Sequence, residues 1–413
     1  MTDTTAESAR AAELRHKLAD KLVSAGTITT KQVENAFRTV PRHLFAPEAT
    51  LEAAYAQSIV ATKKDEHGTT ISSVSAPQIQ AMMLEQAQLG PGMRTLEIGS
   101  GGYNAALMAE LVDPGGEVTT LDIDPDVTER ARTFLSEAGY DRVNVVTADG
   151  EQGDQAHAPF DRVLVTAGSW DIPPAWANQL TEDGILTVPL RMRGLTRSVA
   201  FVRQGDRLVS QSAKICGFVT MQGAGEHTER LLLLQDREIA LRFDDEWPDD
   251  THLLDGVLTT ERAQAWSGVT IGRGETFDTL QLWLATALEG FCLLAVDPEF
   301  DTGVVTPQNR MACPAVVDTG NLAYLAIRNL DNDSGEPVFE FGAHAFGPQA
   351  STLAKTMSEA IQAWDRDHRG GPGPTITAHP VDIPDEDLPQ GRVITKRHCR
   401  LTISWPPSAS RAR

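Results

Sequence analysis

A glycine-rich turn and three carboxylates are the residues of this chain whose types and spacing point to chemistry. Residues 95–103 read Thr-Leu-Glu-Ile-Gly-Ser-Gly-Gly-Tyr, so that an apolar run leads through Glu97 into a cluster of glycines. Glycines in such a turn let a ligand approach main-chain N–H groups at the start of the following helix. Dinucleotide-binding folds use the same turn, so this feature alone leaves the ligand open.

Two further acids, Asp122 and Asp149, close the next two predicted strands. An acid about 20 residues past a glycine turn can hydrogen-bond ribose hydroxyls, and Asp149 would be within reach of an adenine amino group. With Glu97, these acids indicate a nucleoside-bearing ligand. NAD and S-adenosylmethionine would both use Asp122. Asn104 stands where G-x-G-x-x-G has its third glycine, and a cationic sulfonium suits acidic surroundings, so S-adenosylmethionine is favoured.

Alternating strands and helices must position these acids. Apolar periodicity predicts helix 103–112, strand 117–122, helix 126–138, strand 143–147, strand 162–166, a helix near 173–180 and strand 184–189. Units at this spacing predict an α/β fold, a doubly wound parallel sheet covered on both faces. Ligands of such sheets bind at the carboxyl ends of the strands, where the three acids fall.

The segments that precede the glycine turn contain two predicted helices and a polar run between them. Leu14, Leu18 and Leu22 recur on one helical face, and a helix is predicted over 78–89. Between them, residues 63–77 are rich in Gly, Thr and Ser. This polar run is either a solvated connection or a lid that carries hydroxyl groups over the ligand.

Composition excludes several classes of function. A formal net charge of −21 disfavours a general nucleic-acid binder, which needs clustered Lys and Arg. The four cysteines form no C-x-x-C pair, so neither a metal site nor a disulfide framework is indicated, and reduced thiols are expected. No apolar run approaches the roughly 18 residues of a membrane span, and the N-terminus does not resemble a signal peptide. A cytoplasmic location without membrane partners follows as the expectation.

The second half of the chain, residues 226–413, is predicted to be an α+β accessory domain. It contains an acidic stretch at 244–250, interpreted as a solvated loop, and a compact basic cluster at 396–400, predicted to lie in a strand. One helical face is predicted to pack in a core, and it carries Leu353, Met357, Ala360, Ile361 and Trp364.

Several motifs resemble the protein-L-isoaspartate O-methyltransferases in order and spacing, over roughly residues 10–220. They are Val40-Pro-Arg-His-Leu-Phe-Ala-Pro47, Ser73-Val-Ser-Ala-Pro77, Leu96-Glu-Ile-Gly-Ser-Gly-Gly-Tyr103, Leu121-Asp-Ile-Asp-Pro125, Ala148-Asp-Gly150 and Ala158-Pro-Phe-Asp-Arg-Val-Leu-Val-Thr-Ala167. The resemblance implies a class I methyltransferase fold with S-adenosylmethionine as methyl donor. It also implies cofactor contacts from Glu97, Gly99, Ser100, Gly101, Tyr103, Asp122, Ile123, Asp149, Gly150 and Thr166.

The same resemblance places a catalytic serine in the loop before the glycine turn. Ser75 matches the serine of the family's T-I-S-x-P loop, which lies at the substrate carboxylate. Ser72 and Ser73 precede it, so the role can fall on any of the three. The glycine turn is also one residue shorter than the G-T-G-S-G-Y typical of the family.

Length is the largest departure from the repair enzymes, which end near the position of residue 220. The chain resembles a long-tailed branch that acts on ribosomally made modified peptides, lanthipeptides and graspetides among them. The resemblance implies methylation of an aspartate in such a peptide, followed by closure to a succinimide (aspartimide) and hydrolysis to isoaspartate. The expected division is an N-terminal helical segment (1–60), a catalytic domain (61–225) and a peptide-recognising domain (226–413).

Two alternatives remain open. One is a repair enzyme that methylates isoaspartyl sites in damaged proteins, and the other is a non-catalytic peptide-binding module. If residues after about 225 form a separate recognition domain, their deletion should weaken peptide binding and spare cofactor binding.

Overall fold

The computed structural model describes residues 2–99, 101–235, 237–330 and 337–407. The α-helices in these ranges are α1 (Thr2–Ser24), α2 (Lys31–Thr39), α3 (Leu51–Ala54), α4 (Pro77–Ala87), α5 (Tyr103–Val112), α6 (Pro125–Glu137), α7 (Pro174–Asn178), α8 (Asp278–Ala287) and α9 (Ala350–Asp367). The first nine strands are β1 (Val60–Lys64), β2 (Thr70–Val74), β3 (Arg94–Ile98), β4 (Glu117–Asp122), β5 (Asn144–Thr147), β6 (Phe160–Val165), β7 (Leu180–Met192), β8 (Leu195–Gln204) and β9 (Arg207–Ile215). Ten more follow: β10 (Arg230–Gln235), β11 (Ile239–Phe243), β12 (Ala263–Gly272), β13 (Phe291–Val296), β14 (Cys313–Asp318), β15 (Asn321–Leu330), β16 (Val338–Phe346), β17 (Thr375–Pro380), β18 (Arg392–Thr395) and β19 (Cys399–Ser404).

A ten-stranded sheet in the order β18-β19-β17-β9-β8-β7-β6-β3-β4-β5 forms the centre of the fold. Strands β3 to β7 pair in parallel, and β8 and β9 extend the sheet in antiparallel fashion. The class I α/β fold predicted from the sequence is confirmed by the parallel part. The antiparallel extension was not predicted, because long hairpins carry no βαβ signature.

Both faces of this sheet are covered, but by different parts of the chain. Successive residues of a strand point to opposite faces. On β6, Leu164 packs into a core made with α1, α2, α4, α5 and α6. Its neighbours Val163 and Val165 belong to the other core, which continues without a break into the second half of the chain.

That second half forms a seven-stranded antiparallel sheet in the order β10-β11-β13-β14-β15-β16-β12. Helix α9 packs on it through Leu353, Met357, Ile361 and Trp364, which are buried as predicted. Ala360 lies at the margin of the same face.

Only part of the acidic stretch at 244–250 is the solvated loop expected from its composition. Glu246, Asp249 and Asp250 are exposed, whereas the side chains of Asp244 and Asp245 are only 0% and 9% exposed. Asp244 is buried and accepts hydrogen bonds from Arg191 Nε (2.8 Å) and the Gly194 N–H (3.1 Å). Asp245 accepts from Lys396 Nζ at 2.7 Å and from the Trp170 indole at 3.0 Å. Through these contacts, the two acids connect the end of β11 to the β7–β8 turn. Their carboxylates can be buried because the charges of Arg191 and Lys396 compensate them.

The three last strands return to the first sheet. β17 pairs with β9 through Thr377↔Val209 and Ala378↔Leu208, and β19 pairs with β17 and β18. The basic cluster 396–400 therefore spans a hairpin turn and the start of β19, where a continuous strand was expected. A domain boundary near 225 stays a prediction, and it would have to assign 375–404 to the first sheet.

Three smaller observations complete the description. The polar run 63–77 folds as the β1–β2 hairpin with its turn at 65–69, followed by the start of α4. All four cysteines are free thiols. In the described ranges, no helix is long and apolar enough to cross a membrane, and no group of three or more metal-ligating side chains comes together.

Candidate active site

A cavity of about 480 Å³ opens where β3, β4 and β6 end. Eleven of the residues singled out from the sequence line it: Ser72, Ser73, Ser75, Glu97, Gly99, Gly101, Tyr103, Asp122, Ile123, Gly150 and Thr166. Asp149 is not in this lining, and Ser100 lies outside the described residues. The volume is within the range of small-molecule sites.

Two glycines of the turn, Gly99 and Gly102, are packed too closely to carry side chains without a shift of their neighbours. Gly99 has φ +104°, and a Cβ there would lie 2.5 Å from Thr166 Oγ1. That hydroxyl instead donates to the Gly99 carbonyl oxygen at 2.8 Å, which ties the turn to the end of β6. At Gly102 (φ +79°) a Cβ would lie 3.1 Å from the Phe45 ring. The turn is thereby held at the N-terminus of α5, where N–H groups can meet a ligand.

Glu97 is buried beneath the turn. Its carboxylate accepts hydrogen bonds from Asn104 Nδ2 (2.9 Å) and Thr120 Oγ1 (2.6 Å). Burial raises the pKa of Glu97 to about 7, against the effect of these two donors. Asn104, which breaks the dinucleotide pattern in the sequence, thus holds this acid in place.

The second acid, Asp122, lines the cavity at the end of β4 and accepts from the Asp124 N–H at 2.9 Å. Asp124 caps α6, and its carboxylate binds Lys63 Nζ at 2.5 Å. Lys63 lies on β1, so this ion pair holds the β1–β2 hairpin beside the strand end. Sequence reasoning missed Lys63, since nothing local to it indicates its distant partner.

The third acid, Asp149, is covered by a loop from further along the chain. One carboxylate oxygen accepts from the Glu151 N–H (3.0 Å) and the other from the Ala224 N–H (3.0 Å). A Cβ at Gly223 would lie 2.7 Å from the same oxygen, so only glycine allows this approach. Gly150 itself does reach the cavity. Asp149 therefore borders the site behind this loop.

The candidate catalytic serines lie on and just after β2. The Ser72 hydroxyl accepts a hydrogen bond from Thr62 Oγ1 at 3.0 Å. Within the described part of the chain, no hydrogen bond engages the Ser73 or Ser75 hydroxyl, so both can bind a substrate. The assignment of catalysis to one of the three stays a prediction.

Arg42 holds the serine loop from behind, and sequence reasoning did not find it. Its buried guanidinium donates to the carbonyl oxygens of Ser75 (2.9 Å) and Ala54 (2.7 Å) and to Gln80 Oε1 (2.9 Å). It also lies 4.9 Å from the centre of the Tyr103 ring. Burial lowers the pKa of Arg42. Arg42 is a positioning residue that joins the serine loop to the helix after the glycine turn.

Residues 217–222, after β9, form a further wall that the sequence did not indicate. They are held by two backbone hydrogen bonds, from the Gly168 N–H to the Val219 carbonyl (2.7 Å) and from the Met221 N–H to the Gly168 carbonyl (3.0 Å). No periodicity or motif marks this irregular segment, because its position depends on Gly168 at the end of β6.

The parallel sheet, the glycine turn and the strand-end acids define a class I S-adenosylmethionine-dependent methyltransferase. The sequence pattern of the family "Protein-L-isoaspartate(D-aspartate) O-methyltransferase (PCMT)" matches residues 13–226, and the chain belongs to this family. It is a carboxyl methyltransferase that uses S-adenosylmethionine.

The chain shares sequence or structural similarity with the following three proteins. The protein-L-isoaspartate O-methyltransferase of Hyperthermus butylicus is 39% identical over 221 residues, which cover 51% of this chain and 89% of that protein. A solved protein-L-isoaspartate O-methyltransferase superposes with a TM-score of 0.49 at 19% identity, over 88% of this chain and 96% of that one. A Plasmodium falciparum relative, solved in complex with S-adenosyl-L-homocysteine, gives a TM-score of 0.45 at 18% identity, over 50% of this chain and 98% of that one.

Proposed function

We propose that this enzyme transfers a methyl group from S-adenosylmethionine to the free α-carboxylate of an isoaspartyl residue in a polypeptide. The observation that carries this proposal is the meeting of Ser75, the glycine turn and Asp122 in one cavity. The Hyperthermus butylicus relative described above is named for the same activity.

The residues fit S-adenosylmethionine. The ribose would meet Asp122, the adenine would lie near Gly150 and the loop over Asp149, and the methionine part would approach the turn at 99–102. When bound, the cofactor supplies an electrophilic methyl group on a sulfonium. The protein's own contribution is to bind, orient and exclude water.

The acceptor needs little acid-base help. A free carboxylate with a pKa near 4 is ionised at neutral pH, so no general base is required. Rate enhancement would come from aligning the carboxylate oxygen with the methyl group in a site closed to water. The Ser75 hydroxyl would donate a hydrogen bond to the carboxylate and fix its direction. The methyl ester then has a leaving group, and the next backbone nitrogen closes a succinimide with loss of methanol.

A second candidate is methylation of an aspartate in a ribosomally made modified peptide, such as a lanthipeptide or graspetide. One observation favours it: the chain continues for nearly as long again after residue 226, where the family match ends. In this case the succinimide (aspartimide) or the isoaspartate formed by its hydrolysis would be the product. Residues beyond 226 would recognise the peptide, and the reaction would take place in the cytoplasm.

Mass spectrometry distinguishes the two candidates. The purified full chain is given S-adenosylmethionine and, separately, a generic isoaspartyl peptide and aspartate-containing peptides of the lanthipeptide and graspetide types. A gain of one methyl group on the generic peptide supports the isoaspartyl activity. Methylation and methanol loss only on a lanthipeptide or graspetide would support the second candidate, and no methylation of any of these peptides would contradict both.

A further inference from the structure

A second groove, of about 900 Å³, opens beside the candidate active site. The two share six wall residues: Ile71, Ile123, Val219, Thr220, Met221 and Gln222. A polypeptide whose side chain enters the cavity therefore has a continuous path into the groove. The near wall is the tip of the β1–β2 hairpin, at Asp65 and 69–71.

The far wall belongs to the second sheet. Leu231 of β10 and Arg242 of β11 line it. β10 forms one edge of the seven-stranded sheet and pairs with β11 alone among the described strands. Because only one side of β10 is paired, alternate N–H and C=O groups face away from the sheet, as on any edge strand.

β10 also exposes apolar side chains. Leu231 and Leu233 are 57% and 56% exposed, and the alternation of a strand puts them on one face. Leu232 and Leu234 point the other way and pack against the core. Natural edge strands usually carry charges that prevent pairing with other chains. Two exposed leucines on an edge strand therefore indicate a surface that binds another polypeptide.

The charged residues of the far wall are occupied with one another. Arg242 forms two hydrogen bonds of 2.7 Å with the Glu229 carboxylate. Arg191 pairs with Glu229 at 3.2 Å and with Asp244. The contacts left for a ligand near β10 therefore include the apolar surfaces of Ile71, Ile123 and Leu231 and the backbone edge, beside the exposed polar residues Gln222, Glu226 and Thr228.

We propose that the acceptor polypeptide binds in this groove in extended form, by adding a strand to β10, and places apolar side chains on Leu231 and Leu233. Main-chain hydrogen bonds would provide affinity, and the leucines would select apolar residues beside the target site. The inference rests on the proposed function and specifies its substrate: a flexible, apolar segment around the acidic residue. β10 lies beyond residue 226, so this selection would come from the half of the chain outside the family match.

Peptide binding to the full chain tests the inference. The probe is a fluorescent isoaspartyl peptide of about twelve residues, long enough to form a strand on both sides of the target, with Val and Leu flanks. Its Kd is measured by anisotropy with S-adenosyl-L-homocysteine present. Leu231→Lys combined with Leu233→Lys should raise the Kd at least about tenfold. Leu253→Lys changes a leucine of similar exposure (52%) away from β10 and should leave the Kd unchanged.

A second set of peptides tests strand addition itself. A backbone N-methyl group removes one N–H donor, and only every second residue of an added strand donates to its neighbour. N-methylation at successive positions should therefore weaken binding with a period of two. A uniform effect along the peptide, or equal affinity for the double-lysine variant and the wild type, would overturn the inference.

The outcomes separate this inference from the proposed function. Tight, leucine-dependent binding without methyl transfer would retain the docking site and contradict the function. Methyl transfer to the same peptide, with a Kd that does not depend on Leu231 and Leu233, would retain the function and reject the docking site. Binding of S-adenosyl-L-homocysteine by each variant shows that it is folded.

Discussion

Arg397, in the hairpin turn before β19, donates a 2.7 Å hydrogen bond to the carbonyl oxygen of Ala224. The N–H of the same Ala224 donates to the Asp149 carboxylate at 3.0 Å. Arg397 also contacts Glu151 at 3.2 Å, next to the cavity residue Gly150. The last segment of the chain thus supports the loop that borders the cofactor site.

Arg397→Ala should therefore weaken cofactor binding. A partly exposed hydrogen bond contributes about 1 kcal/mol, so the Kd for S-adenosylmethionine should rise about fivefold, as measured by isothermal titration calorimetry. Arg400→Ala is the matched control, because Arg400 lies in the same hairpin but donates to Ile383 and Asp385 instead. If both variants bind the cofactor like the wild type, the terminal hairpin does not support the site.

Ser75→Ala tests the candidate catalytic serine. The hydroxyl lines the cavity and makes no hydrogen bond within the described residues, so its loss should leave folding and cofactor affinity near normal. Methyl transfer should fall at least about tenfold, because the carboxylate loses its orienting donor. Ser72→Ala and Ser73→Ala are measured alongside it, because both side chains line the same cavity and the Ser72 hydroxyl, which accepts from Thr62, still has a proton to donate. Full activity of Ser75→Ala would move the role to Ser72 or Ser73.

The sequence predicted the parallel part of the fold well, for physical reasons. βαβ units have local apolar periodicity, and glycines mark the turn before α5, so Glu97 and Asp122 could be placed on adjacent strand ends. The pairing of β17 with β9 joins Thr377 to Val209, and no local pattern encodes a contact across so many residues. For the same reason, a truncation after about 225 is now expected to disturb the cofactor site as well as peptide binding.

Side chains whose roles depend on distant partners were missed. Arg42 is a single basic residue between Pro41 and His43, and its importance lies in carbonyl groups of other segments. Likewise, composition alone suggested that the acids at 244 and 245 were solvated. In the folded chain, both carboxylates are buried in ion pairs with Arg191 and Lys396. Ion pairs between residues so far apart in the sequence can be recognised only in the folded structure.

Replacing Arg42 should cost stability. Arg42→Met would leave the carbonyl oxygens of Ser75 and Ala54 and the amide of Gln80 without their buried donor. A buried acceptor left without its donor costs about 1–3 kcal/mol, so the loss of three such bonds should lower the free energy of unfolding by at least about 3 kcal/mol. Arg38→Met removes an arginine whose ion pairs lie near the surface and should cost less than about 1 kcal/mol. The free energies of unfolding are measured by urea denaturation. Equal decreases for the two variants would show that the buried hydrogen bonds of Arg42 do not stabilise the fold more than surface ion pairs do.

Glu97 predicts how stability depends on pH. Burial raises its pKa from 4.5 to about 7 in the folded protein. Because the folded-state pKa exceeds the unfolded one, the protonated side chain favours folding, fully so below pH 4.5. This contribution is lost as the pH rises through about 7 and amounts to about 3 kcal/mol.

The measurement is the free energy of unfolding of the cofactor-free protein from pH 4.5 to 8, for the wild type and for Glu97→Gln. Other groups contribute to both curves; burial lowers the pKa of His344 to about 4, for example, which acts in the opposite direction. The difference between the two curves isolates Glu97. It should change across this range, with the wild type losing stability relative to the glutamine variant as the pH rises. Parallel curves would mean that Glu97 is ionised throughout, held so by Asn104 and Thr120.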